Sequence, residues 1–129
     1  GIFTTEMEIF FKEHDFSYDG PINMINPLMT LNYYINSSEY EFIDIDDEFL
    51  HIYNEFKTDL KVFIYKFSMY TAPSRYNREQ FCVIEDRDWH GMGEEQAKKI
   101  REQMKELNNY ADELYNKIIS FYKRRKEKD

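Results

Sequence analysis

A chain of 129 residues with 42% hydrophobic side chains is the size of one domain and can bury a core without disulfide or metal. Its one cysteine, Cys82, excludes a disulfide framework, and no apolar run reaches the roughly eighteen residues of a membrane span. The net charge of −8 is uneven: residues 1–72 carry four basic and thirteen acidic groups and the remainder thirteen and twelve, so the first half is unsuited to neutralising a phosphate backbone.

Four glycines and three prolines are too few for the turns of a sandwich or barrel, which favours helices. Gly1 in place of an initiator Met suggests a tag remnant or a piece of a longer protein, and a cytoplasmic location is the default that a lone thiol fits. Residues 4–12 read as a short helix with Thr5 and Glu8 at capping-box spacing and Met7, Ile9, Phe10 and Phe11 as its apolar surface. Residues 13–20 read as a loop. Asn26-Pro27 marks the next helix start, with Leu28, Leu31 and Ile35 on one side and a break at Ser37-Ser38.

Residues 39–48 hold an acidic run. It lacks the glycine turn and ligand spacing of a calcium loop, so it reads as a solvated helix start, with Asp46 as cap and Asp47 and Glu48 complementing the helix dipole. From there Phe49, Ile52, Phe56, Leu60, Phe63, Phe67 and Tyr70 recur at steps of three and four, which predicts a helix over 47–70, about 36 Å long. Ile100, Met104, Leu107, Ala111, Leu114, Ile118 and Phe121 follow the same rule. Glu94–Lys98, Glu95–Lys99 and Glu113–Lys117 add i to i+4 pairs, so a second long helix is expected over 94–123 with a charged, frayed tail. The expected fold is all-α: a single-domain bundle of about four helices, the two long ones antiparallel and the two short ones covering them.

The link over 71–93 is longer than two antiparallel helices need, so it is either functional or conceals a short element. It gathers Arg75, Tyr76, Arg78, Phe81, Arg87, Trp89 and His90, a composition of aromatics and arginines typical of binding hot spots. The plainer alternative is that Phe81 and Trp89 cap the bundle while the arginines meet water or acids. His14, His51, His90 and Cys82 are too scattered for a metal site, and no phosphate loop or nucleophile elbow is present, so no cofactor is expected.

These features favour a non-enzymatic interaction or regulatory domain, with a protein partner or self-association, acting through a helix face or the 71–93 connection. Shortening residues 74–90 is expected to leave helicity intact and abolish binding. In residue type, Arg87-Asp88-Trp89-His90 resembles the Arg and His pair of HEPN-type helical ribonucleases, although four to six residues separate that pair there and two do here. The resemblance implies an alternative, a metal-independent nuclease using Arg87 and His90 with Arg75 or Arg78 in the same cleft. A third reading makes the acids of 39–48 a decoy for a basic partner. Nucleic acid is not favoured otherwise, because the one basic cluster, Lys123 to Lys128, lies on the terminal tail.

Overall fold

The structure, a computed structural model, describes residues 4–37 and 47–128, with side chains undescribed at Ser37, Asp86, Arg87 and 121–128. The acidic stretch through Asp46, with its cap and decoy readings, therefore lies outside the described residues apart from Asp47 and Glu48.

Two long helices form the frame, α3 (Asp47–Tyr70) and α5 (Glu94–Lys128). They run antiparallel: Lys117 of α5 meets Glu55 at 2.5 Å near the start of α3, and Glu106 meets Lys66 at 3.1 Å near its end. Both apolar stripes turn inward. Phe56, Leu60, Phe63, Ile64 and Phe67 are buried against Met104, Leu107, Ala111, Leu114 and Ile118, each large side chain contributing about 1.5–3 kcal/mol. Helix α5 continues to Lys128, five residues past its expected end, in a sequence of good helix formers.

Helix α1 (Thr5–Glu13) packs on α5 and helix α2 (Asn26–Ser37) on α3. The cap of α1 is Thr4, not Thr5: its extended backbone (φ −81, ψ 167) lets the hydroxyl accept from Met7 N at 3.2 Å. Thr5 is thereby the first helical residue, and the Thr5–Glu8 capping box does not form. Met7 and Phe11, one turn apart, are buried. Tyr70 ties the far end of α3 to α5, donating from its hydroxyl to Glu106 at 2.7 Å. That bond holds the Glu106 carboxyl below its usual range and raises the phenol.

The helical expectation omitted a small antiparallel sheet. Its strands are β1 (Gly20–Pro21), β2 (Ala72–Pro73) and β3 (Gln80–Cys82), in the order β1-β3-β2. Gly20 pairs with Phe81 and Pro21 with Gln80, while Ala72 pairs with Cys82 and Pro73 with Phe81. Strands of two and three residues are too short to show alternation, and both outer ones contain proline, which is tolerated at an edge. The 13–20 segment ends as strand β1, preceded by a loop, and a one-turn helix α4 (Asp86–Trp89) follows β3.

Candidate functional site

The 71–93 connection is held at two places, to the bundle by Phe81 and across its own length by Glu85. The first anchor is Phe81, the middle residue of β3, which is 1% exposed. Its ring stacks on Phe16 at 5.6 Å and meets Phe67 edge-on at 4.8 Å, with His14 and Phe10 completing the surround. Phe16 is carried there by a loop fastened to α5: Asn108 accepts from Phe16 N at 2.8 Å and donates to Asp15 at 2.9 Å. Asp15 also accepts from Ser17 N at 2.8 Å, and these hydrogen bonds, the backbone one foremost, lower its pKa. Gly20 is required at the crossing of β1, since a Cβ there would lie 2.7 Å from the Phe81 ring.

His14 stacks on Phe10 with ring centroids 4.5 Å apart, its Nε2 3.2 Å from the Tyr18 carbonyl oxygen. Burial lowers its pKa below the usual histidine value, partly offset by that carbonyl and by Asp15. The neutral ring, with Nε2–H donating, suits this apolar setting.

The second anchor is Glu85, a buried carboxylate that accepts from Arg75 N at 2.6 Å and lies 3.5 Å from the buried Ser74 hydroxyl. The Cys82 thiol lies 3.6 Å from the same carboxylate. Burial, reinforced by Glu85, pushes that thiol up to about 12, so it is protonated and a poor nucleophile at neutral pH. Between β2 and β3 the turn is closed by its own groups. Gln80 N donates to Asn77 O at 3.0 Å, Glu79 N to the Asn77 side chain at 3.0 Å, and Ser74 N to Gln80 O at 2.8 Å.

The seven sequence-selected residues thus divide. Phe81 belongs to the core. Arg75 is bound to Asp88, which ties the hairpin to α4. Trp89 is half-buried and His90 is exposed just beyond α4. Arg87 lies on α4, and its side chain falls outside the description. Tyr76 and Arg78 stand on the turn, Tyr76 at 73% exposure, and Arg78 has no ion-pair partner among the described residues. Sequence reasoning missed Glu85, Asn108, His14 and Gly20. Glu85 sits in a charge run indistinguishable from a solvated one, and the Asn108 bonds span more than ninety positions.

Beside Arg78 opens a groove of about 280 Å³, floored by Phe67 and Phe81 and walled by Ile22, Met29, Ala72 and Pro73. Gln80 and Ile22 also line a second, more polar depression with Asn23, Asn77 and Glu79, so the two share a wall. Among the described residues no three His, Cys, Asp or Glu side chains converge as a metal site, and no helix is long and apolar enough to cross a membrane. No protein-family model, no curated protein and no solved structure matches the chain.

Proposed function

We propose that the chain is a protein-interaction or regulatory domain whose contact surface is the tip of the 71–93 connection, centred on Tyr76 and Arg78. One contrast carries this reading. Phe81 fastens the connection to the bundle and Glu85 ties its two arms to each other, while the turn between β2 and β3 presents an aromatic ring and an arginine to solvent beside an apolar groove. A preorganised loop forfeits little conformational entropy on binding, and exposed tyrosine and arginine are the side chains that hot spots favour.

The test is site-specific photo-crosslinking in the cells that make the protein, with the reactive side chain at position 76 or, as control, at Tyr33, an exposed site on α2. The expected result is a discrete adduct from position 76, none from position 33, and its loss in an Arg78→Glu variant that remains folded. Absence of an adduct at 76, or one indifferent to Arg78, overturns the proposal.

A further inference from the structure

The interaction reading leaves the chemistry of the partner open, and the groove beside Arg78 narrows it. Resting on that reading, we infer that the groove takes an extended segment of a partner protein in which one apolar side chain lies next to a single carboxylate. The apolar residue enters between Met29 and Pro73, over the Phe67 and Phe81 rings, and the carboxylate meets the Arg78 guanidinium at the rim.

Three observations support this occupant. The first is charge. Of the two arginines on the connection with described side chains, Arg75 is already paired with Asp88, whereas Arg78 has no acidic partner among the described residues and borders an apolar floor. A guanidinium there complements a carboxylate attached to an apolar group. The chain as a whole carries −8, which opposes a polyanion at long range, so one carboxylate fits better than an acidic run.

The second is shape. At about 280 Å³ the groove is at or below the small end of enclosed ligand sites, and it shares Ile22 and Gln80 with the polar depression alongside. That continuity suits a segment passing across the surface, its polar neighbours lying over Asn23 and Asn77.

The third is the strand edge. Strand β2 is outermost in the sheet, but it is two residues long and one of them is Pro73, which has no N–H to donate. Strand addition has too little backbone to use here, so recognition falls to side chains in the groove.

The experiment uses two end-blocked octapeptides, identical except beside a central leucine, where one carries aspartate and the other lysine. Each is titrated into the isotopically labelled chain while backbone amide resonances are followed. The aspartate peptide is expected to shift the amides of Thr71, Ala72, Gln80 and Phe81 saturably and to bind roughly tenfold more tightly than the lysine peptide. Arg78→Glu reverses that preference, and because Arg78 is exposed the variant keeps its fold. Equal affinities, no saturable shift, or shifts centred elsewhere overturn the assignment. If the peptides fail while the position-76 adduct persists, the ligand chemistry is wrong and the interaction surface stands. If that adduct is missing, both fall.

Discussion

Replacing Gly20 by alanine places a methyl carbon 2.7 Å and 2.9 Å from two atoms of the Phe81 ring and 3.0 Å from His14 Nε2. Carbon pairs prefer about 3.5–4.0 Å, so the ring must retreat by close to an ångström. It has nowhere easy to go, because Phe16 stacks on it at 5.6 Å and Phe67 abuts it at 4.8 Å. Overpacking of this kind costs about 1–3 kcal/mol, whereas the ordinary benefit of Gly→Ala, a stiffer unfolded chain, is about 0.4–1 kcal/mol. The clash wins, and the net expectation is a loss of about 1–2 kcal/mol, or roughly 3–10 °C in Tm for a domain of this size.

The mechanism can be isolated in a double-mutant cycle. Phe81→Leu removes the ring atoms that clash, so in that background Gly20→Ala should be neutral or stabilising, a coupling of about 1 kcal/mol or more. Urea unfolding followed by far-UV circular dichroism measures all four proteins. A stabilising Gly20→Ala in the native sequence, or the same cost in both backgrounds, refutes the reasoning.

Other expectations follow from neighbouring residues. His14 has a lowered pKa when folded, so the unfolded chain binds the extra proton first, and stability contributed by this group falls as pH drops through about 6.5 towards the folded value. A His14→Gln variant should show a flatter Tm profile between about pH 7 and 5, and parallel profiles would count against the half-buried, neutral ring. Glu85→Ala leaves the Arg75 amide and Ser74 hydroxyl without their acceptor and should cost about 1–3 kcal/mol in the same urea assay, with a wholly neutral result refuting the anchor. Cys82, raised to about 12, should react with a thiol reagent near neutral pH at least about a hundredfold more slowly in the native chain than in urea. Comparable rates would show the thiol to be accessible.

How much was legible follows from how far each signal reaches along the chain. Helices α3 and α5 repeat their apolar residues over many turns, and their bounds could be read to within a few residues. The cap of α1 was misplaced by one because adjacent Thr4 and Thr5 offer the same hydroxyl, and backbone conformation decides between them. The sheet was hidden because register in strands this short is set by partners sixty positions away, as Gly20 is by Phe81. The aromatic and arginine content of the connection was visible, but composition cannot separate a ring that wedges into the core from one that faces water. Phe81 does the first and Tyr76 the second, five residues apart.

That division decides how the connection can be probed. The sequence alone predicts that shortening 74–90 leaves helicity intact, yet a deletion that spans this range takes Phe81, Cys82 and Glu85 out of the interior and strips β3 from between its neighbours. Losing Phe81 alone is worth about 3–5 kcal/mol, and Glu85 and the sheet add to that, against a total stability of about 5–15 kcal/mol for a domain. The shortened chain should therefore lose most of its cooperative thermal transition, whether or not the turn binds anything. Arg78→Glu and Tyr76→Ser replace exposed side chains and should cost far less than the deletion, about 0.5 kcal/mol or less at Arg78. A deletion that melted like the intact chain would mean that the Phe81 and Glu85 anchors contribute little. A large loss of stability in either point variant would mean that the tip is part of the core after all.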